Sequence, residues 1–220
     1  MEDFKTGDKG RLTIGISPFR ASYFISDIIK QLQKKYEGLQ IVLNEENSTQ
    51  LHKDAIDGKL DFALINLPVD EALLDVTVLE PEPIVLVVPN NLLYVIPGDK
   101  EKKEIDFADC SKLPFIALRE NQELRQLFDK ICLTSEFVPN ITVEAVGIAT
   151  AWNLAKAGIG ASVLPLKFVE ESHSSKDVSV FSIKNSANVR KPAIVRRKGQ
   201  YLSKYANDAI DLIISKTRNA

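Results

Sequence analysis

Apolar and polar residues alternate through residues 11–17 (RLTIGIS), which places Leu12, Ile14 and Ile16 on one face of a strand. The period then lengthens. Phe24, Ile28 and Leu32 recur every four residues with Ile25 and Ile29 beside them. This predicts an amphipathic helix over 21–36, with Ser17 as its cap, Pro18 at the first helical position and an end near Gly38. Residues 39–43 read as a second strand. Asn47, Ser48 and Thr49 mark a helix start, with Ser48 in the capping role, and the short helix 51–56 stops at Asp57 and Gly58. Residues 60–65 (LDFALI) are nearly all apolar, as a strand covered on both faces must be. The succession β-α-β-α-β predicts a parallel sheet with covering helices.

Pro81 and Pro83 interrupt the apolar stretch 76–88; they forbid regular helix and suit a crossover or hinge. Residues 89–104 are polar and turn-rich, and 107–113 read as a short helix. A strand over 115–118 precedes a helix over 122–133, with Leu124, Leu127, Phe128 and Ile131 inward. Then follow a strand over 141–146, a helix over 148–157 stopped by Gly158, and strands over 159–164, 178–183 and 189–195. The last helix, 201–214, turns Tyr205, Ala209, Leu212 and Ile213 inward. No internal repeat or low-complexity segment interrupts this order. The fold class is therefore α/β, with two Rossmann-like lobes joined by extended, proline-marked segments and a cleft expected between them. Open α/β sheets bind ligands beyond the carboxyl ends of their strands. The matching loops are 17–20, 47–49, 66–68 and 146–148, three of them strand-to-helix turns whose free N–H groups favour an anion.

Composition adds limits. The 220 residues are 45% hydrophobic and 26% charged, within the range of ordinary globular proteins. The net charge of −2 argues against this chain gripping nucleic acid by itself. The basic cluster Arg190, Lys191, Arg196, Arg197 and Lys198 reads as a solvated strand edge and turn. The opening MEDFKTG lacks the apolar core of a secretory signal, and no apolar run approaches the roughly 18 residues of a membrane helix. Cys110 and Cys132 do not form a CxxC pair and read as buried free thiols in a reducing compartment. The expectation is a cytoplasmic protein.

Catalytic signatures are missing: no GxSxG, HExxH, P-loop or GxGxxG occurs. Gly158-Ile159-Gly160 follows a helix, so it reads as helix termination. His52 and His173 lack spaced partners and read as exposed structural residues, and Glu45-Glu46 and Glu170-Glu171 as solvated surface. Arg20 reads first as a surface arginine and second as a partner for a carboxylate ligand, Trp152 as packing. No enzyme activity, metal or cofactor is expected.

Several segments resemble one family in order and spacing. These are Lys9-Gly10-Arg11-Leu12-Thr13-Ile14-Gly15-Ile16-Ser17, Glu46-Asn47-Ser48, Gly58-Lys59-Leu60-Asp61-Phe62-Ala63-Leu64, residues 83–89 (PIVLVVP), Phe137-Val138-Pro139-Asn140-Ile141, and residues 155–165 (AKAGIGASVLP). Together they look like the effector-binding (substrate-binding) domain of LysR-type transcriptional regulators. The resemblance runs from about Lys9 to the C-terminus. It departs at Asn47, Glu37 and Glu136, where the family often carries Gly, Pro and Gly. The family's N-terminal winged helix-turn-helix and linker helix are absent from this sequence.

The resemblance implies a type 2 periplasmic-binding-protein-like fold, with lobe I over 10–83 plus 191–220 and lobe II over 84–190. It implies a small-molecule effector, a carboxylate or other polar metabolite, bound in the interlobe cleft. The candidate ligand-binding residues are Ser17, Pro18, Arg20, Ser48, Thr49, Asn66, Leu67, Ile116, Val146, Gly147 and Ile148. It also implies a homodimer through helices 21–36 and 148–157, a higher oligomer at full length, and DNA contact only through the absent N-terminal domain. The competing expectations are a transporter's solute-binding protein and, further off, an enzyme such as prephenate dehydratase or porphobilinogen deaminase. The first enzyme needs a Thr-Arg-Phe triplet that does not occur here, and the second a cofactor-bearing cysteine among arginines.

Overall fold

The computed structural model describes residues 10–98, 103–172, 176–184 and 189–218. The chain divides into two compact units, Met1–Glu80 with Lys191–Ala220, and Pro81–Arg190. It passes between them twice, at Glu80–Pro81 and at Arg190–Lys191.

The first unit holds strands β1 (Arg11–Ile16), β2 (Gln40–Glu45), β3 (Phe62–Asn66), β4 (Leu74–Val78) and β12 (Pro192–Arg197), and helices α1 (Pro18–Tyr23), α2 (Ser26–Lys35), α3 (Ser48–Ile56) and α7 (Lys204–Arg218). Its sheet order is β2-β1-β3-β12-β4. The first three strands are parallel, as the pattern predicts, and β12 returns antiparallel to both β3 and β4. Leu12, Ile14, Ile16, Phe62 and Leu64 form a buried layer with Phe24, Ile28 and Leu32 of the α1–α2 segment and Ala206, Ala209 and Ile213 of α7. Ala63, Ile65, Ala193 and Val195 point the other way, onto Leu51 and Ala55 of α3. Gly15 lies on that second face. A methyl group there would stand 2.6 Å from Leu60 Cδ1 and 3.0 Å from Leu51 Cδ2, so only glycine lets α3 pack this closely.

The single helix expected over 21–36 is two. Lys216 of α7 donates to the Phe24 carbonyl at 3.1 Å and pairs with Asp27 at 2.9 Å. A tertiary contact from 192 residues away thus satisfies a carbonyl at the end of α1 and a carboxylate at the start of α2. Sequence periodicity cannot register such a contact.

The second unit holds β5 (Glu82–Pro89), β6 (Glu104–Ile105), β7 (Pro114–Leu118), β8 (Asn140–Ala145), β9 (Ser162–Pro165), β10 (Val178–Ile183) and β11 (Val189–Arg190), with α4 (Glu123–Thr134), α5 (Ile148–Lys156) and α6 (Leu166–Glu171). Strand β5 pairs antiparallel with β9, β10 and β11, while β7 and β8 run parallel. Phe107, Phe115, Phe128 and Phe137 cluster at its centre, with ring centroids 5.2–6.3 Å apart. Trp152 is buried and meets Phe168 edge-on at 6.2 Å, so it packs as expected. The helix expected over 107–113 is one tight turn, Phe107–Cys110, capped by Asp106, and α6 was not expected at all.

Candidate functional site

In the first unit, β1 lies between β2 and β3, and the chain leaves its carboxyl end by α1 while β3 ends beside it. This is the point at which strand order reverses, where open α/β sheets present a crevice. Ser17 caps α1, its Oγ accepting from the Arg20 N–H at 3.4 Å, and Pro18 is exposed at the first helical position. Arg20 is not at the surface. It is 2% exposed and its Nη2 donates to Asn66 Oδ1 at 3.0 Å, Asn66 being the last residue of β3 and 4% exposed. The short helix carries Arg20 to the end of β3, where Asn66 supplies an acceptor that a buried guanidinium needs. Ser17, Arg20 and Asn66 are thereby brought together across the reversal point.

The Glu46 N–H donates to the Ile16 carbonyl at 3.3 Å, which holds the start of the α3 turn against the end of β1. Asn47, not Ser48, is the cap: its Oδ1 accepts from the Gln50 N–H at 3.0 Å. Asparagine is as good a cap as serine and stands one residue earlier, in extended backbone. Ser48, half-buried, and Thr49, exposed, therefore lie in the first turn and are relieved of capping. The helix is fixed from behind by Asp54, which accepts from Lys59 at 3.0 Å, Gln50 at 3.1 Å and Asn44 at 3.3 Å. The Lys59 bond, outweighing burial, holds the Asp54 carboxyl below the ordinary range. His52 is half-buried rather than exposed. Its Nε2 accepts from the Asp70 N–H at 3.1 Å, which ties down the loop that begins at Leu67. The Leu67 N–H donates to the Lys191 carbonyl at 2.9 Å. His173 lies outside the described residues.

In the second unit the four candidates separate. Ile116 is enclosed in the core, its N–H bonded to the Ala161 carbonyl at 2.8 Å and its carbonyl to Ser162 Oγ at 2.9 Å. It frames the unit from within β7. Val146, Gly147 and Ile148 follow the carboxyl end of β8. Val146 is 58% exposed, and Gly147 precedes the first turn of α5. One residue absent from the sequence expectation joins them: Gln122 Nε2 donates to the Val146 carbonyl at 2.7 Å. The loop 119–122 also leaves a parallel strand for a helix, so the rule that picked out 146–148 picks it out too.

Two buried arginines organise the same unit. Arg125 donates to the Leu118 carbonyl at 2.9 Å, to Glu144 at 2.6 Å and to Asp129 at 2.9 Å. Burial works against its charge, but Glu144 and then Asp129 outweigh that and raise its pKa. Arg190, placed by the sequence in a solvated basic run, is 7% exposed and bonds Glu123 at 2.9 Å and Glu82 at 3.3 Å. Two carboxylates reach it because β11 pairs with β5 while α4 begins alongside. Of the other basic residues in that run, Arg196 pairs with Asp75 at 3.2 Å.

Cys110 and Cys132 are buried and free, with thiols pushed up to about 12, chiefly by burial. Among the described residues no group of three or more His, Cys, Asp or Glu could hold a metal ion, and no helix is long and apolar enough to cross a membrane.

Two α/β units joined by two crossovers define a binding domain of the periplasmic-binding-protein kind. Solved structures share this fold. The CcmR regulatory domain of Synechocystis PCC6803 in complex with 2-PG superposes with a TM-score of 0.83 at 18% identity, covering 96% of this chain and 98% of that one. The effector binding domain of QuiR in complex with shikimate gives 0.79 at 18%, covering 96% and 99%. That of BenM with benzoate gives 0.79 at 16%, covering 97% and 94%. The family of LysR substrate binding domains matches residues 5–218, and the chain belongs to that family. In sequence it is 25% identical over 222 residues to a probable RuBisCO transcriptional regulator of Trieres chinensis, spanning 98% of this chain and 70% of that protein. It is 27% identical over 226 residues to the uncharacterized HTH-type transcriptional regulator YcgK of Bacillus subtilis, spanning 96% and 68%.

Proposed function

We propose that this chain is the ligand-sensing domain of a LysR-type DNA-binding transcriptional regulator and that its effector is a small carboxylate. The observation that carries the reading is the grouping of Ser17, Arg20 and Asn66 at the strand-order reversal of the first unit, in a chain of this family. Pro18, Ser48, Thr49 and Leu67 are the further candidate ligand-binding residues of the first unit. Val146, Gly147 and Ile148, and Ile116 within β7, are the candidates of the second. The start of α3, capped by Asn47, carries the positive end of the helix dipole, which suits an oxyanion. The shikimate and benzoate of the related structures fit that chemistry.

The ligand acts by population shift, favouring one arrangement of the domain through differential affinity. A homodimer formed through the α1–α2 segment and α5 carries this to a DNA-binding segment outside these residues, in the cytoplasm, with a higher oligomer at full length. The test is calorimetric titration of the purified chain with benzoate, shikimate and a panel of small mono- and dicarboxylates, beside its native mass. Saturable binding by one of them, weakened in Asn66→Asp, which keeps an acceptor for Arg20 but sets a negative charge against a carboxylate, and a dimeric mass are expected. No binding across the panel together with a monomeric mass would overturn the reading and favour a solute-binding protein.

A further inference from the structure

The start of α4 touches two distant parts of the second unit. Gln122 reaches forward to the Val146 carbonyl at 2.7 Å, in the loop that opens α5. Its chain neighbour Glu123 accepts from Arg190 Nε at 2.9 Å. The same guanidinium donates through Nη1 to Glu82 at 3.3 Å, and Arg190 and Glu82 are register partners in the β11–β5 pair. These two residues sit beside the points where the chain enters and leaves the unit. Two residues further along α4, Arg125 locks the helix to the ends of β7 and β8 through Leu118 and Glu144. The segment Gln122–Glu123 is therefore held on both sides and has little room to respond to one contact without moving the other.

We infer that Gln122 and Glu123 are positioning residues that couple the Val146–Ile148 loop to the paired crossover strands through Arg190. The inference rests on the loop's role in the proposed site, but the coupling is a property of the chain without ligand. It runs through four consecutive contacts: Val146 carbonyl to Gln122 side chain, Gln122 to Glu123 along the backbone, Glu123 carboxylate to Arg190, and Arg190 to Glu82. Two of these involve a buried charged group, where hydrogen bonds are strong and geometry is narrow. Contiguity alone does not establish coupling, so the ends must be read separately.

The experiment uses the ligand-free chain, so its failure is distinct from a failure to find the effector. The Arg190 Nε–H resonance reports on the crossover end, and exchange of the Ala151 amide, which bonds the Gly147 carbonyl at 3.1 Å, reports on the loop end. Gln122→Ala, at a half-buried side chain, is expected to shift the Arg190 Nε–H signal although Gln122 is joined to that bond only along the backbone. Glu123→Gln is expected to speed Ala151 exchange roughly fivefold, as the loss of one net hydrogen bond implies, and to lose that effect when Gln122→Ala is already present. Glu82→Gln, which loosens Arg190 from the side away from α4, is expected to speed Ala151 exchange in the same direction but by less than Glu123→Gln, because the coupling is reciprocal and one link longer. An unmoved Arg190 signal in Gln122→Ala with unchanged Ala151 exchange in Glu123→Gln would overturn the inference. So would a uniform rise in exchange across the unit in Glu123→Gln, which would mark general loosening.

Discussion

Cys110 and Cys132 show how far burial reaches at the scale of one side chain. Both thiols are pushed up to about 12, first by desolvation and then by nearby carboxylates. An acid whose folded pKa is raised contributes stability that is fully present below the unfolded value, near 8.5, and is lost as pH rises toward the folded one. The native chain is expected to leave both thiols unreacted with a thiol-specific reagent at pH 8 and to titrate two only when unfolded. Prompt native reaction would contradict the burial. Glu136 is a second case. It adopts φ 58, in the left-handed region, at the position where the family often carries glycine. Glu136→Gly removes that strain at a position exposed to solvent, so it is expected to stabilise the chain by up to about 1 kcal/mol in a denaturant melt, against the usual sign for glycine. The resemblance marked Glu136 as a departure, but only backbone geometry says what the departure costs.

At the scale of the element, the cap of the first helix was legible at Ser17, and that of α3 was misassigned by one residue. Ser17, Asn47 and Ser48 are all good capping residues, and sequence alone does not say which of two adjacent candidates takes the extended backbone. Because Asn47 does, Asn47→Ala is expected to cost about 1 kcal/mol in chemical unfolding and Ser48→Ala a few tenths at most. Equal losses would mean that the cap is shared. The α1–α2 break and the burial of Arg20 and Arg190 share one reason. Each depends on a partner far along the chain: Lys216 for the break, Asn66 for Arg20, Glu82 and Glu123 for Arg190. A run of basic residues looks solvated until the carboxylates that face it are known.

At the scale of the whole molecule, ligand binding and stability are linked. A ligand that binds only the folded chain adds about 2.7 kcal/mol at one hundred times its Kd, which for a chain of this length raises the thermal midpoint by roughly 5–10 °C. The carboxylate found by titration is expected to show this rise, growing with the logarithm of its concentration, and Asn66→Asp is expected to flatten it. A midpoint indifferent to a ligand that calorimetry says is bound would mean that it binds the unfolded chain as well.

The sequence by itself determined the class of elements and much of their order. Alternation in 11–17, the four-residue period through Phe24, Ile28 and Leu32, and the all-apolar 60–65 are local consequences of which faces must be buried, and the parallel β1-β2-β3 core follows from them. The family was legible too, from short segments whose order and spacing along the chain resemble it. Tertiary structure alone decided which polar residues are buried and what they hold. The pairing of Arg20 with Asn66, the place of Gln122 beside Val146 and the two hydrogen bonds from Arg190 to Glu123 and Glu82 join residues 24 to 108 positions apart. A buried charge is tolerated only where the folded chain supplies its partner, and that partner is fixed by the packing of elements, not by neighbours in sequence.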